Sequence, residues 1–264
     1  MTREEKIIKL IDILLIFIIP LFIIVVGAYI YFQLPTNGEV SVTGDLITAD
    51  ELVDVPEDLN LYGVTTRSIT IEDRLDFIKF WWHDKKIHLK YYYSKFDEDK
   101  EIYEQVFDRI EYSLEKEKEA GTAMIEFVFD RYSEEEAVEV FGEFSWYDDY
   151  LGSSATLLMV TALIGAHEEK DWIYSDEKIV ITGSFGQDGK VLPVGGVALK
   201  ALTAKENDAG IFVVPKEQLD EAYYWISEKD DLEIVGVETF DELIAWLDEN
   251  VEMVNNGFND VIGS

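Results

Sequence analysis

The chain has 264 residues and a formal net charge of −33, from 22 basic and 55 acidic side chains. This charge argues against nucleic acid as a partner, because phosphate backbones are bound by clustered cations. The absence of cysteine excludes disulfides, a thiolate nucleophile and cysteine zinc sites, and the three histidines lack metalloprotease spacing, so no metal or other cofactor is expected. Repulsion among the acidic groups favours a high-salt habitat, although the remaining composition leaves that question open.

The N-terminal region predicts a membrane anchor. Arg3, Lys6 and Lys9 lie in the first twelve residues, and residues 13–32 are uncharged and mostly apolar, a length that spans a bilayer. The flank that follows is acidic and has no basic residue before Arg67. By the positive-inside rule, we expect a single-pass signal anchor over residues 13–32, a cytoplasmic N-terminus over residues 1–12, and an extracellular C-terminal domain.

The next segments predict a linker, a strand and two helices. Residues 33–58 are rich in proline, glycine and acidic side chains, which indicates an extended acidic linker. Alternation over residues 59–71 predicts a strand, and the helical spacing of the aromatic-rich stretch 75–82 predicts a helix that faces the core. A further helix is predicted to end near Gly121, from apolar residues that recur every four positions: Ile102, Val106, Ile110 and Leu114.

A turn of small residues then opens an apolar helix. The run Gly152-Ser153-Ser154-Ala155-Thr156 precedes residues 157–164, which are apolar on all sides and so predict a buried helix. A serine at the start of a helix lies where unpaired N–H groups converge, which is the environment that stabilises an oxyanion. The alternative is that Ser153 or Ser154 is simply an N-cap, which is the commoner role for a serine at this position.

A hairpin and a helix with one lysine follow. Residues 179–183 predict a strand, 187–189 its turn and 191–194 the returning strand. After Gly195-Gly196, a helix is predicted to run to about residue 208. Val197, Ala201 and Ala204 predict a buried stripe on this helix, and Lys200 lies at its flank. Poor solvation there lowers the pKa of a lysine and allows the neutral amine to act as a base.

These motifs, in this order, resemble the proteolytic domain of Lon proteases. The resemblance rests on Ser154-Ala155, Thr182-Gly183, the run from Gly189 to Gly196, and Lys200, and it extends over roughly residues 121–250. It implies a catalytic Ser/Lys dyad in which Ser154 is the nucleophile and Lys200 the general base. Thr182 would orient the lysine.

The resemblance also implies that the turn of Gly152, Ser153 and Ala155 forms the oxyanion site. Family members usually have Gly-Pro-Ser-Ala-Gly around the nucleophile, whereas this chain has Ser153 in place of the proline and Thr156 in place of the second glycine. Because the proline is absent, Ser153 remains an alternative nucleophile.

The expected architecture is an α/β fold of the α+β type with a mixed sheet, preceded by one transmembrane helix. The proteolytic domain is expected over residues 59–250, with an N-terminal part to residue 120 and a catalytic core from 121, and residues 251–264 form a tail. An anchor before such a domain resembles the bacterial membrane proteins that combine PDZ and Lon domains, but the chain has no room for a PDZ domain between Gly121 and Ser154.

The resemblance implies a membrane-anchored serine endopeptidase that acts on polypeptide substrates. The sequence has no Walker A motif, so we expect no ATP requirement. The alternative is a catalytically inactive Lon-fold binding protein at the cell surface. Assembly into a homo-oligomer is left open.

Overall fold

The structure is a computed structural model that describes residues 18–32, 34, 36–83, 91–95, 97, 102–141, 152–227 and 230–251. The chain divides into two compact units, which are Met1–Val40 with Ile69–Glu98, and Ser41–Ser68 with Asp99–Ser264. The N-terminal segment expected to be cytoplasmic, residues 1–12, and residues 252–264 of the expected tail lie outside the described part of the chain.

Among its described residues, the first unit contains two helices and a short strand, β3 (Tyr92–Lys95). Helix α1 covers residues 18–32, and its large apolar side chains are exposed to solvent. Among the described residues, no helix has both the length and the apolar character needed to cross a membrane. Residues 13–17, which begin the expected anchor, are outside the described residues.

Helix α2 (Arg74–His83) corrects the expectation of a helix that faces the core. Phe77 is buried and packs against the ring of Tyr91, with a centroid distance of 5.4 Å. In contrast, Leu75 is 55% exposed and Trp82 is 73% exposed. The spacing of apolar residues therefore predicted the helix correctly, but it did not identify which face is buried.

The stretch expected to form an extended linker contains a strand, β1 (Gly38–Thr48). Val40 and Val42 are completely buried, and they alternate with more exposed polar residues in the first part of the strand. This period of two is the pattern of a strand with one buried face. The proline, glycine and acidic content of residues 33–58 obscured that pattern.

Parallel strands form the centre of the larger unit. The neighbouring strands β2 (Leu61–Ile71), β4 (Ile179–Ile181), β7 (Ile211–Pro215) and β8 (Glu233–Val237) run parallel to one another. All residues of β4 and β7 are buried, as expected for parallel strands covered on both faces. A short antiparallel pair, β5 (Ser184–Phe185) and β6 (Val191–Leu192), makes the fold a mixed α/β arrangement. The expected fold class is confirmed to this extent.

The sheet corrects the expected hairpin. The strand predicted over residues 179–183 ends at Ile181 and joins the parallel sheet as β4, and a separate strand, β5, pairs with β6. Between β4 and β5, the Thr182 N–H donates to Val213 O at 3.0 Å, and the Gly183 N–H donates to Ser154 O at 3.1 Å. The chain therefore leaves one sheet for the other at the predicted Thr182-Gly183 motif.

The helices of the larger unit cover this sheet and complete the core. Their bounds are α3 (Ile102–Arg131), α4 (Glu134–Phe141), α5 (Thr156–His167), α6 (Val197–Glu206), α7 (Leu219–Ala222) and α8 (Phe240–Asn250). Helix α5 is buried from Thr156 to Gly165, which confirms the apolar helix predicted there. The Thr239 side chain caps α8 by accepting a hydrogen bond from Glu242 N.

Helix α3 does not end near Gly121, as the sequence suggested, but continues to Arg131. An isolated glycine inside a helix costs only about 1 kcal/mol, which burial of the neighbouring residues offsets. The buried face of α3 also differs from the predicted one. Ile110 and Leu114 are exposed, and the buried stripe lies further along the helix at Ala120, Met124 and Val128.

Candidate active site

The predicted nucleophile turn is a single 3₁₀ turn, Ser153–Ala155, that leads directly into α5. Gly152 precedes it with φ = +137°, a conformation that favours glycine. The turn is joined to the start of β5, because Ser154 O accepts from Gly183 N at 3.1 Å and Gly183 O accepts from Leu157 N at 3.3 Å. A Cβ atom on Gly183 would lie 2.8 Å from Leu157 Cδ2, so this close approach requires glycine.

The structure does not support the capping role considered for the two serines. The residue that caps the 3₁₀ turn is Gly152, and the one that caps α5 is Ala155. Neither position carries a side-chain capping hydrogen bond. Ser153 and Ser154 lie inside the turn instead, and both are partly exposed.

Thr156, which replaces the glycine usual in Lon proteases, fits the turn and bonds on both sides of it. Its backbone is helical (φ −64°, ψ −30°), so no glycine is needed here. The Thr156 hydroxyl donates to Ser153 O at 2.7 Å and accepts from Phe185 N at 2.8 Å. Thr156 therefore connects the serine turn to strand β5 through a buried side chain.

Lys200 projects from α6 into the protein interior, and only 4% of the residue is exposed. The helix begins after Gly196, whose φ of +70° and close approach to Thr66 suit glycine. The Lys200 backbone N–H donates to Gly196 O at 3.0 Å. The predicted stripe of Val197, Ala201 and Ala204 is fully buried, and Lys200 is buried with it.

The Lys200 ammonium donates a hydrogen bond of 3.1 Å to the Thr182 hydroxyl. The Thr182 hydroxyl in turn donates to the backbone oxygen of Ser154 across 3.5 Å, which is a long contact. The structure thus brings Ser154, Thr182 and Lys200 together. Within the described part of the chain, the hydrogen bond of the Lys200 amine goes to Thr182 and not to the Ser154 hydroxyl.

Burial lowers the pKa of Lys200 to about 8, because the charged ammonium is poorly solvated in the interior. The negative charge of Glu221 opposes this shift in the pKa. A substantial fraction of Lys200 is therefore a neutral amine at mildly alkaline pH. A neutral amine has a lone pair that can accept a proton.

Glu117, on α3, contacts the serine turn and was not identified from the sequence. Its carboxylate accepts a hydrogen bond of 3.0 Å from the Gly152 N–H. Gly152 is therefore held in place, but its N–H is occupied by this carboxylate. Nothing in the acidic pattern of α3 distinguishes Glu117 from the solvated glutamates around it.

Gln218, just after β7, holds the loop before α6 and was also missed. Its side-chain amide accepts from Val194 N and donates to Val194 O, both at 2.8 Å. It also donates to the Glu221 carboxylate at 3.2 Å. Gln218 thus connects the loop before α6 to Glu221, the carboxylate that influences the pKa of Lys200. A single glutamine three residues after Pro215 gives no sequence signal for this role.

The larger unit is an α/β domain in which a serine turn, a threonine hydroxyl and a buried lysine converge. Residues 149–248 match the family model of the Lon protease (S16) C-terminal proteolytic domain. This match confirms the resemblance to the Lon proteolytic domain that the motifs indicated.

Curated relatives agree with this assignment. An archaeal Lon protease from Pyrococcus abyssi is 34% identical over 98 residues, which cover 37% of this chain and 10% of that protein. One from Methanothermobacter thermautotrophicus is 36% identical over 98 residues, which cover 37% of this chain and 15% of that protein. An uncharacterized protein of Mycobacterium tuberculosis is 32% identical over 97 residues, which cover 37% of this chain and 18% of that protein. The chain thus spans 10% to 18% of the length of these relatives.

Proposed function

We propose that this protein is an ATP-independent serine endopeptidase whose catalytic dyad is Ser154 and Lys200. The observation that carries the proposal is the buried Lys200 amine, bonded to Thr182 beside the backbone of Ser154. A buried lysine is costly for the fold, and a base with a lowered pKa gives such a residue a chemical use. The Lon-type match over residues 149–248 supports the same assignment.

In the proposed mechanism, the Ser154 hydroxyl attacks the scissile carbonyl of a polypeptide. The neutral Lys200 amine accepts the hydroxyl proton and then donates it to the leaving amine, which forms an acyl-enzyme. Water hydrolyses that ester with the same amine as base. The Thr182 hydroxyl accepts one N–H of Lys200, which restricts rotation of the amine and directs its lone pair toward the serine.

Backbone N–H groups of the turn would stabilise the oxyanion. The first N–H groups of a helix lack intrahelical partners and lie at the positive end of the helix dipole. Since the Gly152 N–H donates to Glu117, we assign the oxyanion to the N–H groups of Ser153, Ser154 and Ala155. In this proposal, Gly152 shapes the turn and does not contact the substrate.

Labelling with a serine-reactive phosphonate, followed by peptide mapping, tests the nucleophile. We expect an adduct on Ser154 in the full-length protein and none in Ser154→Ala. Ser154→Ala and Lys200→Met should lose nearly all peptide cleavage, singly or combined, because the two residues act as a unit. Ser153→Ala is the matched control and should retain most activity.

Other outcomes would select an alternative. Labelling of Ser153, with an active Ser154→Ala variant, would assign Ser153 as the nucleophile. Cleavage that survives in Lys200→Met would refute the dyad. A folded wild type that neither labels nor cleaves a panel of peptides would instead indicate a catalytically inactive Lon-fold binding protein at the cell surface.

We further propose that residues 13–32 anchor the chain in the cell membrane, with the N-terminus in the cytoplasm. The uncharged stretch, the cations before it and the acidic flank after it support this orientation. Protease added to intact cells should then digest the C-terminal domain. Digestion only after lysis would reverse the orientation, and release of the protein by alkaline carbonate would refute the anchor.

A further inference from the structure

Helix α2 carries a group of exposed apolar side chains that the proteolytic site does not use. Leu75 and Trp82 are seven residues apart and so share a face of the helix, with Trp81 beside them. Their exposed fractions are 55%, 73% and 43%, respectively. We call these three residues the α2 ridge. A chain with a net charge of −33 has abundant acidic side chains for its surface, so an exposed group of this kind requires an explanation.

Arg74, the first residue of α2, joins this helix to the end of α1. Its guanidinium carbon lies 5.6 Å from the ring centre of Tyr31 and 5.5 Å from that of Phe32. Both distances are within the range of cation–π contacts. Tyr31 and Phe32 are the last aromatic residues of the uncharged stretch 13–32. The α2 helix therefore begins where the apolar segment ends.

The residues around the α2 ridge have the composition of a helix at a membrane surface. Tryptophan is enriched at the level of lipid headgroups, where one side of the ring is apolar and the other hydrated. Around the helix, Arg74 lies between Trp81 and Leu75, and Lys79, which is paired with Asp76 at 2.7 Å, lies beyond Leu75. The long side chains of Arg74 and Lys79 can keep the charge in water while the stem contacts lipid. At about 1.5 Å per residue, Trp82 lies within roughly 12 Å of Arg74 along the helix.

We propose that the α2 ridge inserts into the headgroup region of the bilayer that holds residues 13–32. The inference rests on the membrane anchoring proposed above and is independent of the proposed peptidase activity. The occupant is a lipid surface because the ridge continues from an apolar helix through Arg74, and not merely because it is exposed. Contact of the ridge with lipid would fix the first unit of the chain at the outer surface of the membrane.

Fluorescence quenching in proteoliposomes tests this contact. The full-length protein is reconstituted into phosphatidylcholine vesicles that contain lipids brominated at a shallow or a deep position of the acyl chain. Trp82→Phe should lower the fraction of tryptophan emission quenched by the shallow bromine. Trp246→Phe is the matched control, since Trp246 packs against the core of the larger unit, and it should leave the lipid-quenched fraction unchanged.

The outcomes separate this inference from the proposed anchor and activity. Suppose that the protein resists carbonate extraction but that lipid quenches the wild type and Trp82→Phe equally. This result would overturn the lipid contact of the ridge and leave the anchor in place. If Trp82 is protected from acrylamide but is not quenched by brominated lipid, the lipid contact is wrong and the ridge contacts a protein partner or a second copy of the chain. Release of the whole protein by carbonate would overturn both the anchor and the lipid contact, while phosphonate labelling of Ser154 would still report on the peptidase.

Discussion

The amine of Lys200 and the hydroxyl of Thr182 form a hydrogen bond of 3.1 Å between two side chains that are almost completely buried. The pair links α6 to the point where the chain leaves β4. Since a buried amine needs a partner, Thr182 both satisfies Lys200 and determines its direction. The hydroxyl is thus expected to matter for the position of the base.

Removal of the Thr182 hydroxyl should therefore reduce turnover. Thr182→Val keeps the shape of the side chain but leaves the Lys200 amine unpaired, which costs about 1–3 kcal/mol, equivalent to roughly fivefold to 160-fold in rate. Thr182→Ser retains the hydroxyl and should keep most activity. Steady-state cleavage of a fluorogenic peptide measures both variants. Full activity in Thr182→Val would show that the hydroxyl is not needed.

The pH dependence of cleavage should follow the protonation of Lys200. The amine acts as a base only when neutral, so kcat/KM should rise with pH through the lowered pKa of Lys200, about 8. Glu221→Gln removes a negative charge that raises this pKa, so the rising limb should move to lower pH. A profile of kcat/KM against pH for both proteins measures this shift. If the rising limb of the Glu221→Gln profile lies at the same pH as in the wild type, the profile does not report the protonation of Lys200.

Burial of Lys200 should also cost stability at neutral pH. A pKa that falls from 10.5 to about 8 corresponds to roughly 3 kcal/mol. The unfolded chain binds more protons than the folded one between these values, so the penalty is complete below pH 8 and disappears as pH rises toward 10.5.

Lys200→Met should consequently unfold at a higher temperature than the wild type at pH 7, and the difference should shrink as the pH rises. Thermal unfolding of both proteins across a pH series is the measurement. Lys205→Met, on the same helix but at a partly exposed position, is the matched control and should show no such convergence. If the difference in unfolding temperature between Lys200→Met and the wild type is the same at every pH, Lys200 is not buried as an ammonium.

A glycine at position 156, as in typical Lon proteases, should not improve the proposed activity. Thr156→Gly would remove the hydroxyl that bonds Ser153 O and Phe185 N, leaving the Phe185 N–H buried and unpaired. The expected loss of stability is about 1–3 kcal/mol, together with lower activity. Thr156→Ser keeps the hydroxyl and should behave like the wild type. Denaturant unfolding and peptide cleavage test both; higher activity in Thr156→Gly would contradict the bonding role.

Salt should stabilise the folded protein, since a net charge of −33 produces repulsion that ions screen. The Debye length falls from about 10 Å at 0.1 M to about 3 Å at 1 M ionic strength. The thermal unfolding temperature should therefore rise across a potassium chloride series. A flat or falling series would remove the argument for a high-salt habitat.

The sequence was sufficient for the central site because its parts depend on local features. Gly196 has a positive φ, a Cβ atom on Gly183 would contact Leu157, and Lys200 lies among the buried, mostly apolar residues of its helix. These constraints appear as short motifs in a fixed order. For this reason the motifs and the resemblance selected Ser154, Thr182 and Lys200, and the structure brings the three residues together, while their catalytic roles stay predictions.

Other features depend on contacts between distant segments and could not be predicted. Glu117 and Gln218 bond to backbone groups of Gly152 and Val194, and neither bond leaves a pattern in the sequence around the donor or the acceptor. The spacing of apolar residues in α2 predicted a helix. It gave no information on which side chains face the core, and Trp81 and Trp82 are exposed. In β1, the alternation of valines was present but was outweighed by proline, glycine and acidic residues nearby.

If Lys200 is the base, the two hydrogen bonds between Gln218 and Val194 limit how a peptide can dock beside it. Extended peptides are commonly held by main-chain hydrogen bonds to an exposed strand or loop. Both main-chain groups of Val194 are already occupied by one side chain, so this part of the loop offers a docking peptide no ladder to extend. At Val194 the loop would therefore not pair with the backbone of a peptide, and any main-chain docking beside Lys200 would have to use other residues.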